Sequence, residues 1–323
     1  MSTCNAARML PESFRPEGNA MRRIQWMVCC LLLASAGDAG GEQVPSGVEG
    51  AKVEKLAGGM RFVEGPVWFD SADGGFLVFS DIPNNKLMRW TAKEGLSVFR
   101  EKSNNSNGNT RDLEGNLITC EHQARRVSRT DMKSGEVTTL VDRFEGKKLN
   151  SPNDVVVKSD GTVWFTDPTY GGHRDLEVGS KNVYRFDPKT KALTAVVKDS
   201  DQPNGLAFSP DETKLYVADS GRPRHIRVFE VKSDSTVGES RVFCSIDRGV
   251  PDGIRVDAAG RVWSSARDGV HIFGTDGKLI GKVLLPENCA NLCFGGAAGD
   301  EIFMTATTSL YRVKVLTRGG EKR

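Results

Sequence analysis

The chain has 323 residues, with 44 Lys and Arg against 42 Asp and Glu, a formal charge of +2, and ordinary hydrophobic and charged fractions of 38% and 27%. A near-neutral balance with no basic cluster argues against nucleic acid as a partner. The most apolar N-terminal run, Ile24 to Leu33, is too short to span a bilayer.

The N-terminus reads as an address rather than as part of a fold. Met21-Arg22-Arg23, the apolar run to Leu33 and then Ala34-Ser35-Ala36 give a basic start, a short apolar centre and a small-residue cleavage site, the layout of a secretory signal. Translation from Met21 would make residues 1–20 an upstream extension, and cleavage after Ala36 would leave 40 charges of each sign. The expected organisation is an extension and signal peptide at 1–36, a Gly-rich linker at 37–50, one folded catalytic domain at 51–316 and a frayed tail at 317–323. Export to the periplasm or beyond is the expected destination, with a cytoplasmic form starting at Met1 as the alternative. Cys120, Cys244, Cys289 and Cys293 remain after cleavage, with no CxxC and no His at zinc-ligand spacing. They read as buried thiols, although export leaves pairing open.

From Val53 onward the pattern is β throughout, and one short phrase recurs six times: an acid or carboxamide, usually a Gly, then an apolar run. Its leading residues are Glu64, Asn107, Asn153, Asn204, Asp252 and Asn291, spaced 39 to 51 positions apart. Each copy is followed by a turn and a second strand, such as Phe76 to Asp81, Thr162 to Asp167 and Lys214 to Asp219. Third strands alternate basic and aromatic residues, as in Lys86 to Trp90 and Asn182 to Phe186, and fourth strands are weaker. A period in the forties built from strands is the signature of a propeller. The predicted fold is all-β, a six-bladed β-propeller with four-stranded blades. The sixth repeat lacks a fourth strand of its own, so Val53 to Leu56 is expected to supply it and close the ring.

Side chains at the same place in successive blades converge on the central channel. Two carboxylates with several carboxamides there suit a hard cation that takes oxygen ligands, calcium above all, and the absence of His and Cys argues against zinc or copper. Asn-Gly and Asp-Gly are also ordinary turn pairs, but six copies in register, each opening a strand, favour the channel. Asn107 and Asn291 read equally as structural or as substrate contacts. Glu121 ends the second strand of its repeat, with Asp81, Asp167 and Asp219 at the same place. These carboxylates read either as solvated ends and blade-stabilising groups or as channel charges. His122, next to Glu121, is a candidate for a substrate or proton-relay contact, or is simply a polar strand end. No nucleophile elbow, P-loop or dinucleotide fingerprint occurs.

Several longer phrases carry a resemblance. Asn150-Ser151-Pro152-Asn153-Asp154-Val155-Val156-Val157, followed by Asp160 to Gly171, resembles the bacterial gluconolactonase branch of the senescence-marker-protein and gluconolactonase family. Phe62 to Trp68, Cys120-Glu121-His122, Gln202 to Asp211 and Pro251 to Asp257 are similar to its other signatures. The resemblance implies a propeller that hydrolyses a sugar lactone of the glucono-1,5-lactone type with one divalent cation, Ca2+ first and Zn2+, Mn2+ or Mg2+ as alternatives. It implies Glu64, Asn153, Asn204 and Asp252 as metal ligands, the cation polarising the carbonyl and Asp252 also serving as general base. Asn107, Glu121 and His122 are the expected substrate contacts. The rival readings are a broader esterase or phosphotriesterase on the same cation, or a non-catalytic ligand-binding propeller.

Overall fold

The computed structural model describes residues 47, 48 and 50–322. The expected extension and signal peptide, and the linker up to residue 46, lie outside the described residues. Among the described residues every regular element is a strand. The first, β1 (Val53–Ala57), belongs to the last blade. Blade 1 is β2 (Val63–Phe69), β3 (Phe76–Asp81), β4 (Lys86–Thr91) and β5 (Gly95–Glu101). Blade 2 is β6 (Ser106–Arg111), β7 (Leu117–Glu121), β8 (Arg126–Thr130) and β9 (Val137–Val141). A short hairpin, β10 (Arg143–Phe144) and β11 (Lys147–Lys148), leads to blade 3, which is β12 (Val155–Val157), β13 (Val163–Asp167), β14 (Asn182–Phe186) and β15 (Leu193–Val197). Blade 4 is β16 (Pro203–Phe208), β17 (Lys214–Asp219), β18 (His225–Val231) and β19 (Val237–Ser245). Blade 5 is β20 (Ile254–Val256), β21 (Val262–Ala266), β22 (Gly269–Phe273) and β23 (Leu279–Leu284). Blade 6 is β24 (Cys289–Gly295), β25 (Glu301–Ala306) and β26 (Ser309–Lys314), completed by β1. The result is an all-β, six-bladed propeller of four-stranded antiparallel sheets.

The ring closes where the sequence places the closure. β1 pairs antiparallel with β26, Val53 opposite Val313 and Lys55 opposite Tyr311. A strand from the start of the domain thus covers the edge that the last blade would otherwise leave open. Inner strands such as β2 and β24 are buried along their whole length, whereas the outer strand β5 is half open to solvent. That gradient explains why first and second strands read as continuous apolar runs and fourth strands do not. Aromatic pairs cement neighbouring blades: Trp68 stacks on Phe303 at 4.9 Å, Trp164 meets Phe208 edge-on at 5.2 Å and Trp263 meets Phe294 edge-on at 5.6 Å. Cys120, Cys244, Cys289 and Cys293 are buried thiols outside any disulfide among the described residues.

The tail expected to fray is held instead. Ala258 N donates to Arg318 O at 2.8 Å, Gly320 N donates to Val256 O at 2.9 Å, and Asp257 bridges Gly319. These two backbone hydrogen bonds, which form the Asp257–Gly319 bridge, hold the tail against blade 5.

Candidate active site

Four of the six inner strands, those of blades 1, 2, 4 and 6, begin with an irregular register. The pairing slips between Glu64 and Val67, between Ser106 and Asn109, between Pro203 and Leu206 and between Cys289 and Asn291. A bulge at a strand start re-aims the side chain there, here into the channel. The glycine after the leading residue has its own reason. A Cβ on Gly65 would lie 2.2 Å from the Asn107 carbonyl oxygen, and one on Gly205 would lie 2.3 Å from that of Asp252. Adjacent blades therefore pass backbone to backbone at this level, with Gly108 N donating to Asn153 O at 2.7 Å and Gly205 N donating to Asp252 O at 3.1 Å.

A second repeated device fixes the leading residues. Asp81 accepts from the backbone N–H groups of Arg61 and Phe62, Asp167 from those of Asn150 and Ser151, and Asp219 from those of Asp201 and Gln202. In each case the carboxylate ending the second strand grips the backbone two and three residues before the leading residue. Blades 1, 3 and 4 carry this clamp, and their leading residues are Glu64, Asn153 and Asn204. Asp167 is fully buried, and burial pushes its carboxyl up to about 7 against the two N–H donors.

Six of the seven expected site residues come together. Asn107 Nδ2 donates to Asn153 Oδ1 at 2.7 Å, Asn153 Nδ2 to Asn204 Oδ1 at 2.6 Å, and Asn204 Nδ2 to Ser220 Oγ at 3.0 Å. His122 joins this relay through Nε2, 3.2 Å from Asn153 Oδ1 and 3.4 Å from Asn107 Nδ2. Burial pulls the His122 imidazole down to about 4, so it is neutral at ordinary pH. Opposite stand the carboxylates. Burial, then the charge of Asp154, pushes Glu64 up to about 7 despite the Asn291 and Gly65 donors. Asp252 is raised well above the usual carboxylate range by burial, then by Glu64 and Asp154.

Glu121 is the exception and corrects the expectation of a substrate contact. It is fully buried and accepts from Ser128 Oγ at 2.7 Å, Arg126 Nε at 2.7 Å, Asn104 Nδ2 at 2.8 Å and Arg100 Nη2 at 3.3 Å. Both oxygens are used in fastening blade 2 to blade 1, and none is left for a ligand. Its neighbour His122 points the other way because successive residues at a strand end face opposite sides.

Asp154 is the residue that the sequence pattern missed. It stands one place after Asn153, where most other repeats have Gly, and that departure from the repeat was the available signal. Its carboxylate is buried in the channel, 3.5 Å from Asn291 Nδ2 and 3.7 Å from Arg255 Nη1. The Arg255 guanidinium, itself buried, also approaches Glu321 of the tail at 3.5 Å. A cavity of about 280 Å³ beside Arg255 and Glu321 is lined also by Arg111, Val157 and Phe208, and none of the expected ligands borders it.

A sequence profile described as the SMP-30/Gluconolactonase/LRE-like region matches residues 62–308. The chain belongs to this family. Gluconolactonase from Zymomonas mobilis is 32% identical over 83% of the chain and 82% of that protein. Regucalcin from Xenopus laevis is 30% identical over 75% and 82%. Among solved structures, a gluconolactonase from Xanthomonas campestris is 34% identical, with a TM-score of 0.79, over 84% of the chain and 91% of that one. The family match spans all six blades, so the channel-lining phrases that define the site fall inside it.

Proposed function

We propose that the protein is a lactonase that hydrolyses the cyclic ester of a sugar lactone such as glucono-1,5-lactone to the aldonic acid. Relatives named gluconolactonase and pentonolactonase support lactone hydrolysis as the reaction. The observation that carries the site assignment is the trio Glu64, Asp154 and Asp252. Glu64 and Asp154 are buried and Asp252 is half-buried; the charge of Asp154 raises Glu64, Glu64 and Asp154 together raise Asp252, and the Arg255 guanidinium offsets Glu64 and Asp154.

That donor set fits a divalent cation. Among the described residues no three His, Cys, Asp or Glu side chains cluster as metal ligands, but this cup is half carboxamide. Glu64, Asn153, Asn204 and Asp252 would hold the ion, and all-oxygen donors of mixed charge favour Ca2+ over Mg2+, Mn2+ or Zn2+. When bound, the cation supplies Lewis acidity toward the lactone carbonyl.

The chain's own groups do the rest. Asp252 takes a proton from the attacking water and returns it to the ring oxygen as the acyl C–O bond breaks. Neutral His122 and Asn107, tied to each other and to Asn153, present fixed polar groups to the sugar hydroxyls without adding charge.

The N-terminal secretory layout supports export, which sequencing of the mature N-terminus after expression checks. The direct test of function is pH-stat hydrolysis of glucono-1,5-lactone by purified protein, before and after EDTA, with Ca2+, Zn2+, Mn2+ and Mg2+ restored singly. Turnover above the spontaneous rate that disappears with EDTA and returns with one cation is the expected result. Folded protein that leaves the lactone untouched under every cation defeats the reading.

A further inference from the structure

The loop after β13 crosses the mouth of the site and is tied down at both ends. On the blade 4 side, Gln202 Nε2 donates to Thr169 Oγ1 at 3.2 Å and Thr169 N approaches Gln202 Oε1 at 3.4 Å. Gly171 N donates to Ser151 Oγ at 2.9 Å, and a Cβ at Gly171 would lie 2.8 Å from that oxygen. On the blade 2 side, His173 Nε2 donates to the carbonyl oxygen of His122 at 2.8 Å. Between these anchors Tyr170 has little room to wander.

Tyr170 shows solvent 42% of its surface. The phenol lies beside Ser220 and Asn204, and burial, then the charge of Asp252, raises its proton affinity to about 12. Ser220 Oγ donates in turn to the carbonyl oxygen of Pro251, the residue before Asp252. A ring that is open to solvent, with Ser220, Asn204 and the charge of Asp252 beside its phenol, is poorly explained as packing. The hydroxyl is also a rotor, so it can exchange Ser220 for a ligand at no cost in backbone movement.

We propose that Tyr170 is a second catalytic residue, whose O–H donates a hydrogen bond to the ring oxygen of the lactone as that oxygen leaves. The inference rests on the lactonase reading above. Water adds to the acyl carbon while Asp252 takes its proton. The acyl C–O bond then breaks, its electron pair goes to the ring oxygen, and the Asp252 proton follows. Tyr170 keeps its own proton throughout and stabilises the charge that grows on the leaving oxygen.

The test is Tyr170→Phe, which keeps the ring and removes the hydroxyl. The wild type and the variant are compared on glucono-1,5-lactone, and on the pair δ-valerolactone and δ-thiovalerolactone, with Ca2+ affinity measured by calorimetry. The expected result is a kcat on the oxygen lactones lower by roughly 10²-fold, with KM and Ca2+ affinity within about twofold. The thiolactone should lose far less, because a thiolate leaves without help. An equal loss on lactone and thiolactone, or no loss on either, overturns the proposal. So does a weakened Ca2+ affinity that accounts for the lost rate, since Tyr170 would then act by holding Asn204. A wild type that hydrolyses none of these compounds sinks the lactonase reading itself, and this inference with it. Failure in Tyr170→Phe alone leaves that reading standing.

Discussion

Asn291 Nδ2 donates to Glu64 Oε2 at 3.0 Å across 227 residues of chain. The last blade thus reaches the first inside the channel, just as β1 joins them at the rim. The bond ties ring closure to the electrostatics of the cup, because the same donor holds the Glu64 carboxyl below where burial and Asp154 would otherwise drive it. Asn291→Ala should therefore raise Glu64 further and weaken Ca2+ binding at pH 7 by about tenfold, the effect of one lost charged hydrogen bond. Calorimetric titration with Ca2+ at pH 7 and pH 9 checks it, and the deficit should shrink at the higher pH.

Cation-free protein should be destabilised by rising pH. Glu64 has a folded value of about 7 against an ordinary 4.5. A group raised on folding contributes stability that is complete below its unfolded value and lost as pH climbs through its folded value. The window is therefore about pH 4.5 to 7, with a loss on the order of 3 kcal/mol from this group. Thermal unfolding in EDTA should show Tm falling by several degrees across that window, and saturating Ca2+ should flatten the slope.

His122 acts with the opposite sign. Its folded value of about 4 lies below the ordinary 6.5, so its contribution is present above pH 6.5 and is lost as pH falls toward 4. His122→Gln should remove that acid-side decline in stability while the Glu64-dependent slope persists. Urea midpoints for both proteins at half-unit pH intervals separate the two effects.

Asp252→Asn should abolish turnover while making the EDTA-treated protein more heat-stable, since it removes a carboxylate set against the charges of Glu64 and Asp154. A rate loss of about 10³-fold or more, with Tm raised or unchanged, is the expected pair of readings. A folded, cation-binding variant that retains turnover would remove Asp252 from the role of base.

Glu121→Gln discriminates a fastener from a substrate contact. Leaving the Arg100 and Arg126 guanidinium groups short of their shared carboxylate should cost about 3–5 kcal/mol. KM for the lactone, measured on the folded fraction, should stay within about twofold of the wild type.

Much of this protein was legible before any coordinates. Blade number, strand order and the closing role of Val53 to Leu56 follow from a repeat of fixed length, because each repeat is one sheet that must bury both faces against identical neighbours. The leading residues Glu64, Asn107, Asn153, Asn204, Asp252 and Asn291 were legible for the same reason: a position repeated in a propeller is repeated in space. Their neighbours were not. Glu121 and His122 are consecutive, and only the sheet decides that one locks blade 2 to Arg100 and Arg126 while the other turns to Asn153. Asp154 and Arg255 meet across 101 residues, and Tyr170 meets Asn204 and Ser220 through a loop outside the repeat. Periodicity determines what recurs along the chain. Contacts made by single, non-recurring residues depend on how far a turn leans and which way a strand end twists, and the tertiary structure alone decided those.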